Sequence, residues 1–560
     1  MKHFSLALWF VFLSSPFLFG QEESSDGTVS GNVQIAFSSY ADDESIGAVA
    51  PPEKAGFSAT TNLIYNQGGF SAGIRYESYL NALQGFPGRF KGNGIGSRYI
   101  RYVDSSGKVD VTLGNYYDQF GSGIIFRSYV EPGLGVDNAM DGVRLILRPV
   151  GGLEIKLLYG KQRLDFDNGL INGDGIVRAV DGTLDINSIL AEKGGLDWKT
   201  KISLGANFLS KFQTGGTITQ DTLLLELPEN IGAWSYRIEA MRGKWTAGLE
   251  YAAKINDPSA DNGYTYRRGE ALLANLGYSK RGMGAILSAK MVDNMSFRSD
   301  RDLSLFDMPI SFIPSVTKQH TYNLAATLYP YSTVIAGESS ISADLLYTIP
   351  KGTFLGGAYG TNVSISFAGA NGLDTTNLSG VDEVVYGYER NSWGFGTVKF
   401  VRDFNIQISR KESKYFKWKY TFLNLEFNAL VTPVTTTAKG MVYADIHVLE
   451  THIKTGKRES LRTEFQHLKT KQDKGDWVFA MAEYTWSPHW FLVVADGYNY
   501  GNPIASKREH YAYVSVGRIE GAHRFSLTYG RMREGLLCIG GVCRVVPASN
   551  GINFSFTTTF

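Results

Sequence analysis

Charged side chains recur at every second position of several otherwise apolar segments, among them Phe70–Glu77 and Trp234–Ala240. A period of two places the charges on one face of a strand and the apolar residues on the other. A charge facing lipid at the bilayer midplane costs roughly 2–4 kcal/mol, so the charged face should line an interior, either as a solvated channel wall or as an ion-pair network. The candidate lining residues are Arg75, Glu77, Glu154, Lys156, Arg237, Glu239, Glu250, Lys254, Arg462 and Glu464.

The only two cysteines, Cys538 and Cys543, flank the sequence Ile-Gly-Gly-Val. A Gly-Gly pair suits a two-residue hairpin turn, which brings the cysteines opposite each other. An even pair in an exported chain predicts a disulfide, here at the tip of a surface hairpin over residues 532–548. The alternative, a redox pair, needs an activated thiolate and typically a Cys-x-x-Cys spacing.

Motifs for catalysis or metal binding are missing or incomplete in the sequence. It contains neither HExxH nor GxSxG. Asp257, Asp261 and the series from Asp181 to Asn187 place oxygens at alternate positions, but no bidentate Glu follows as in an EF-hand. The sequence therefore predicts no catalytic residues, no cofactor and no metal site, with a calcium loop or an outer-membrane hydrolase as lesser alternatives.

Many long strands are needed to place the charged residues on one face of a sheet and the apolar residues on the other. Alternating segments of about 9–13 residues match the length of a tilted strand that crosses a bilayer. Short turns such as 67–69 and 242–244 alternate with loops of about 10–35 residues, a pattern typical of membrane barrels. The predicted fold is all-β, a single large antiparallel transmembrane β-barrel. A soluble β-sandwich also alternates, but its strands are commonly only 5–6 residues long.

The number of strands must be even if both ends of the barrel lie in the periplasm. The candidates give about 24–26 strands, with boundaries uncertain by about 2–4 residues. The higher count requires a strand over 302–313, a turn at 314–316 and a further strand from about residue 318. Another strand is expected over 175–187.

Composition narrows the class of protein. The 560 residues carry 55 basic and 54 acidic side chains, a balance that argues against a nucleic-acid partner. Charged residues at 19% are too abundant for a helical membrane protein. The 63 glycines and 13% aromatic residues suit strands, tight turns and aromatic belts.

The two ends of the chain carry signals of export and assembly. Residues 1–20 combine a short basic start with an apolar run and predict a secretory signal peptide, with an N-terminal anchor as the alternative. Residues 21–560 are then the barrel, which begins soon after the cleavage site and so has no plug domain. The final strand alternates aromatics and ends on Phe560, which resembles the signal that barrel-assembly machinery recognises.

Several stretches resemble an uncharacterised outer-membrane β-barrel family of the Bacteroidota, a domain of unknown function. The resemblance implies an outer-membrane location and a barrel, and it implies no substrate. The stretches that carry it are scattered over most of the chain: 114–127, 137–144, 319–323, 328–331, 461–477 and 538–547.

The sequence thus predicts a porin-like passage for small hydrophilic solutes. A barrel of this size has a lumen wider than its wall side chains can fill, so inward-folded loops should narrow it, the best candidates being 116–138 and 369–393. The alternative is a non-conducting barrel that acts as a binding or assembly partner in a cell-surface complex. The expected partners are outer-membrane lipid and the assembly machinery during insertion.

Overall fold

The computed structural model describes residues 27–560 except 193–197, 221, 304–307, 432–439 and 540–541. At residue 192 and over 536–539 and 542–544 it describes the backbone only. The predicted signal peptide, residues 1–20, lies outside the described residues.

The main chain forms one closed antiparallel β-barrel of 24 strands. The first and last strands pair with each other, with Phe37 opposite Phe554, and so close the sheet. The predicted fold class is confirmed. The barrel strands are β1 (Thr28–Ala41), β2 (Ala55–Gln67), β3 (Phe70–Leu80), β4 (Gly92–Val103), β5 (Val109–Tyr116), β8 (Met140–Leu147), β9 (Leu153–Phe166), β10 (Leu170–Asp185), β11 (Thr200–Phe212), β14 (Asn230–Arg242), β15 (Trp245–Lys254), β16 (Gly269–Lys280), β17 (Met283–Asp293), β18 (Gly337–Ile349), β19 (Thr361–Asn377), β20 (Tyr388–Lys411), β21 (Phe416–Asn428), β22 (Met441–Lys454), β23 (Glu459–Thr470), β24 (Trp477–Trp486), β25 (Trp490–Tyr498), β26 (Tyr513–Glu520), β27 (His523–Met532) and β30 (Ser549–Thr559).

Smaller elements lie in the connections. Within the described part of the chain, three short strand pairs are separate from the barrel sheet: β6 (Val130–Glu131) with β7 (Val136–Asp137), β12 (Gly216–Gln220) with β13 (Leu223–Leu227), and β28 (Gly535–Ile539) with β29 (Val542–Val546). The helical segments are Pro132–Leu134, Ile186–Glu192, Ala260–Asn262, Asn323–Leu328, Val381–Tyr386 and Ala505–Lys507. No helix among the described residues is long and apolar enough to span a membrane.

The two ends of the barrel differ in their connections. At one end, here the short-turn end, most strands are joined by tight turns such as 68–69 and 243–244. Gly68 and Gly243 adopt φ of 55° and 59°, the left-handed region that two-residue hairpin turns require. The other end, the long-loop end, carries the long connections, including 117–139 and 294–336.

The strands alternate as the sequence predicts. Leu63, Ile74, Leu449, Phe465 and Val494 are exposed on the outer surface of the wall. Their neighbours in sequence turn towards the inside, where they contact other side chains and the loops. An exposed apolar band around a barrel is the surface that contacts lipid.

The strands predicted over 302–313 and from about residue 318 are wrong. The described part of 294–336 is a single connection between β17 and β18, and it contains the short helix Asn323–Leu328. Phe297, Ile310 and Ile313 made this segment appear strand-like, but they are buried because the connection lies inside the barrel. The strand predicted over 175–187 is confirmed, since β10 covers most of that range.

The strand pair β28–β29 leaves the wall and packs on the helix Asn323–Leu328. Arg533, just before it, donates a hydrogen bond to the Asn323 carbonyl oxygen at 3.0 Å. A side chain on Gly535 would lie 3.1 Å from the carbonyl oxygen of Thr327. Cys538 is directly opposite Cys543 in the backbone register. The side chains of both cysteines lie outside the described part of the chain, so the disulfide stays a prediction.

Candidate functional site

A first loop, residues 117–139, enters the barrel and is called the first inner loop. Phe120, Ile124 and Phe126 are fully buried. The backbone N–H of Ser122 donates to the Glu250 carboxylate at 3.0 Å, in the middle of the wall. Loop 116–138, expected to fold inward, does so.

A second inner loop, the described part of residues 294–336, crosses the interior and contacts strands on different sides of the wall. Gln162 on β9 donates to the Pro309 carbonyl oxygen at 3.0 Å. His320 lies 2.6 Å from Asp403 on β20. The Leu324 N–H donates to the side-chain oxygen of Gln466 on β23 at 2.9 Å.

The segment 369–393 does not fold inward, and that expectation is wrong. Its strands β19 and β20 continue as a two-stranded ribbon beyond the wall, with Thr376 opposite Glu389. The ribbon bends over the outer surface, where Arg390 lies 3.0 Å from Asp293 and the ring of Trp393 lies 6.3 Å from that of Tyr251. Cross-strand pairing and these outer-face contacts hold it outside. We call residues 373–395 the outer ribbon.

The two inner loops fill one sector of the barrel, the side formed by β8 to β25, called the filled sector. Its inner face is apolar where the loops pack against it. Around the second inner loop the buried residues include Tyr329, Leu425, Phe427, Val442, Ile446 and Val448. Around the first inner loop they include Phe120, Phe126, Leu158, Val177, Leu209 and Val292.

Arg75 and Glu77 meet at the border of this sector. Arg163 on β9 makes two hydrogen bonds of 2.7 Å to the Glu77 carboxylate, and both side chains are buried. Arg75 lies 2.7 Å from Asp137 of the first inner loop. The cluster therefore joins β3 to β9 across the strands between them.

The predicted lining residues of β9 and β14 have separate partners. Lys156 forms an ion pair of 2.7 Å with Asp118 of the first inner loop. Glu154 pairs with Arg148 at 2.8 Å beside a short turn, where both side chains are partly exposed. Arg237 pairs with Asp181 at 2.7 Å. Glu239 is exposed on the same face of its strand.

Lys254 belongs to a buried group at the long-loop end. Asp257 accepts hydrogen bonds from Lys211 at 2.7 Å and from Lys254 at 3.3 Å. Burial alone would raise the pKa of Asp257, but the two ammonium groups hold that pKa below its ordinary value. The carboxylate that resembled part of a calcium loop is thus neutralised by lysines. Glu250 accepts from Ser235 at 3.1 Å as well as from Ser122.

The last predicted pair, Arg462 and Glu464, lies in a network on β21 to β23. Arg462 contacts Glu464 at 2.7 Å and Glu450 at 3.2 Å. Lys419 contacts Glu450 at 3.1 Å. Ion pairs between these acidic and basic side chains therefore stabilise this part of the inner face.

The opposite side of the barrel, formed by β30 and β1 to β5, is not filled and is called the open sector. It contains a cavity of about 950 Å³. The lining begins with Asn66 and Ser71 beside a short turn and reaches Leu83 and Phe86 in a loop at the other end. Half of the wall residues that line it are neutral and polar: Asn32, Gln34, Ser58, Thr60, Asn62, Asn66, Ser71, Ser97, Thr112, Asn115, Ser555 and Thr557.

Sequence reasoning missed this neutral face because it selected strands by their charges. The signal was present in β2, where Ser58, Thr60 and Asn62 share one face and Phe57, Ala59 and Leu63 the other. The same alternation in β1 and β30 places further neutral polar residues on the shared inner face.

The match to known families spans the whole chain, residues 1–560. The protein belongs to the family of unknown function DUF6029. The resemblance to a family of unknown function is confirmed to that extent. No curated protein matches the chain.

Solved structures with similarity to the chain include three described as a pore, a receptor or an Occ protein. The P pilus usher PapC translocation pore is 8% identical, with a TM-score of 0.38 over 95% of this chain and 99% of that chain. A mutant of the ferric enterobactin receptor PfeA of Pseudomonas aeruginosa is 12% identical, with a TM-score of 0.42 over 95% and 80%. OccAB3 of Acinetobacter baumannii is 8% identical, with a TM-score of 0.36 over 96% and 100%.

Proposed function

We propose that the protein is an outer-membrane β-barrel that lets small hydrophilic solutes pass through its open sector, while the two inner loops obstruct the rest of the lumen. The cavity of about 950 Å³ carries the proposal, because its lining includes residues from both ends of the barrel. A wall of Ser, Thr and Asn side chains offers hydrogen bonds to water and to hydroxylated or charged solutes, as in other polar pores.

A membrane location is supported by the outer face. Phe465, Val494 and Ile100 are each about half exposed, at 52%, 50% and 51%. Removing an apolar side chain from water gains about 1.5–3 kcal/mol, and a surrounding bilayer supplies that environment. We include in the proposal export by residues 1–20, a barrel of residues 21–560 in the outer membrane, and lumen-lining roles for the charged residues named from the sequence.

The C-terminal residue has a defined place in the seam. The N–H and the carbonyl oxygen of Phe560 exchange hydrogen bonds of 3.0 and 2.8 Å with Gly31, next to the β1–β30 pairing. A side chain at position 31 would lie 2.8 Å from the Phe560 ring, so Gly31 leaves room for it. These contacts support a role for Phe560 in closing the barrel, in addition to the proposed role as the assembly signal.

Planar-bilayer recordings test the passage directly. The purified full chain should give stepwise conductance. In a C538S/C543S background, S58C places a thiol in the open cavity, whereas S342C places one on β18, where Ser342 is 7% exposed. A bulky thiol reagent should reduce the conductance of S58C and leave that of S342C unchanged. Silent bilayers, or equal effects on both variants, would refute the passage.

A second candidate function is that of a non-conducting partner in a surface complex. The outer ribbon favours it, because Tyr386, Trp393 and Phe395 are 46%, 48% and 51% exposed on its surface. If bilayers are silent, replacing residues 379–386 by a short Gly-Ser turn should abolish co-purification of a partner from native membranes. Unchanged co-purification would exclude the ribbon as the binding surface.

A further inference from the structure

The charged residues around the open cavity are mostly basic. Arg75, Arg101 and Arg144 contribute to its lining, whereas Asp137 is the only acidic residue that does so among the described residues. The remaining lining is neutral. The balanced net charge of the whole chain therefore does not describe the charge that a solute meets in this sector.

The carboxylates that neutralise Arg101 and Arg144 are hidden behind them. The Asp110 side chain is 2% exposed, while that of its partner Arg101 is 43% exposed. Arg101 donates to Asp110 through Nε at 2.9 Å and Nη2 at 2.7 Å. Its Nη1 group makes no hydrogen bond within the described residues and is directed away from that pair.

Two arginines share one level of the wall. In the backbone register Arg101 lies opposite Thr112, and Thr112 lies opposite Arg144. Arg144 donates to Thr112 at 3.2 Å, while its Nε atom is buried without a hydrogen-bond partner. Asp118 and Asp110, at 3.5 and 3.8 Å from Arg144, are 5% and 2% exposed.

The third arginine lies nearer the long-loop end. Arg75 is opposite Ser97, four residues before Arg101 along β4. At about 3.3 Å per residue this separates the two levels by about 13 Å along the strand. A solute that crosses the open sector therefore meets guanidinium groups at two successive levels.

We infer that the open sector prefers small oxyanions, namely carboxylates or phosphates, over cations. This inference rests on the proposed passage. Guanidinium groups match the geometry of carboxylate and phosphate oxygens. Arg101 and Arg144 contact the solute at one level, and Arg75 attracts it at the next. The hidden carboxylates keep the arginines in place while a solute meets mainly the positive partner.

Reversal potentials across a KCl gradient, followed by potassium acetate and potassium phosphate gradients, test the preference in bilayers. The wild type should be anion-selective. A unit charge at about 4 Å changes the local concentration of an ion about fivefold in water, so R101Q should lower the anion-to-cation permeability ratio by about two- to fivefold at low salt. R518Q is the matched control and should leave the ratio unchanged, because Arg518 lies on the outer face of β26 over the Trp490 ring, where its side chain is 47% exposed.

The paired variant R101Q/D110N distinguishes the effect of the exposed charge on anion preference from the effect of the net charge. It removes the guanidinium together with its hidden carboxylate, so the formal charge is unchanged and no buried carboxylate is left unpaired. Anion preference should still fall as in R101Q. Heat-dependent mobility on gels verifies that each variant is folded.

The outcomes distinguish the inference from the proposed function. Conductance without anion preference, or an R101Q/D110N ratio equal to that of the wild type, overturns the inference and leaves the passage standing. Silent bilayers refute the passage, and titration of the detergent-solubilised full chain with inorganic phosphate then decides the inference. Binding that R101Q/D110N abolishes and R518Q retains supports an oxyanion site, whereas no binding overturns it.

Discussion

The filled and open sectors belong to one continuous sheet, yet their inner faces differ in chemistry. Leu425, Phe427, Val442 and Ile446 face the interior in the filled sector, where loop residues cover them. In the open sector the corresponding inner positions are mostly Ser, Thr and Asn. The sheet alone therefore does not decide where the lumen is blocked. The side chains on its inner face do.

The difference has a simple energetic origin. Ordering a loop costs about 1–2 kcal/mol of backbone entropy per residue, and burial of apolar area must offset that cost. An apolar wall gives the inner loops such an area, as the fully buried Phe120 and Phe427 show. A wall of Ser, Thr and Asn is already hydrated and offers little gain, so that side of the lumen is left open.

Excising the second inner loop should have the largest effect on the difference between the filled and open sectors. The ends of the loop are adjacent, since the Met295 N–H donates to the Ile335 carbonyl oxygen at 3.0 Å. Replacing residues 296–334 by a short Gly-Ser turn should leave the wall connected and expose much of the filled sector to water. Single-channel conductance should rise severalfold, because the lumen of a barrel this wide exceeds what its wall side chains fill.

The control for the excision is removal of a connection outside the lumen. Replacing residues 379–386 of the outer ribbon in the same way should leave the conductance near that of the wild type. An unchanged conductance after excision of 296–334 would mean that the second inner loop does not obstruct the passage.

Deleting Phe560 should impair assembly of the open sector, where the barrel closes. The seam between β1 and β30 lies beside the cavity, so little loop packing supports it. Without Phe560 the exchange of hydrogen bonds with Gly31 is lost, and with it the terminal aromatic of the proposed assembly signal. The yield of folded barrel, measured by heat-dependent gel mobility in isolated outer membranes, should fall severalfold. Normal yield would refute both roles of Phe560.

The sequence predicted the wall better than the interior. Period-two alternation is local, so strand positions and the range of strand number followed from it. The inner loops depend on contacts between distant residues, such as Ser122 with Glu250 and Leu324 with Gln466. Apolar residues of the second inner loop therefore resembled lipid-facing strands, although they face the inside of the same barrel. A single sequence does not reveal which surface buries them.

Replacing the Glu77 carboxylate by a neutral amide should destabilise the barrel at the border between the two sectors. Both side chains of the Glu77–Arg163 pair are about 1% exposed. Without Glu77, the buried Arg163 keeps Asp137 at 3.0 Å, but it shares that carboxylate with Arg75. One buried positive charge is then left uncompensated, which costs about 3–5 kcal/mol. Glu77→Gln should therefore lower the denaturant midpoint of the barrel clearly. Glu154→Gln is the matched control, because its partner Arg148 is partly exposed and such pairs contribute about 0–1 kcal/mol. Equal midpoints for the two variants would contradict the structural role of the border cluster.

The smallest effect is expected where the chain leaves the wall altogether. Cys538 and Cys543 lie on the strand pair β28–β29, which packs on the helix Asn323–Leu328 rather than extending the barrel sheet. A disulfide across so short a loop restricts little of the unfolded chain, so it adds mainly local rigidity. Replacing both cysteines by Ser should leave membrane insertion nearly intact. Thiol labelling of unreduced intact cells should find no free cysteine in the wild type. Labelling of both cysteines would exclude the disulfide. Failure of the double variant to insert would show that this hairpin takes part in assembly, which is not expected of a strand pair that is separate from the barrel sheet.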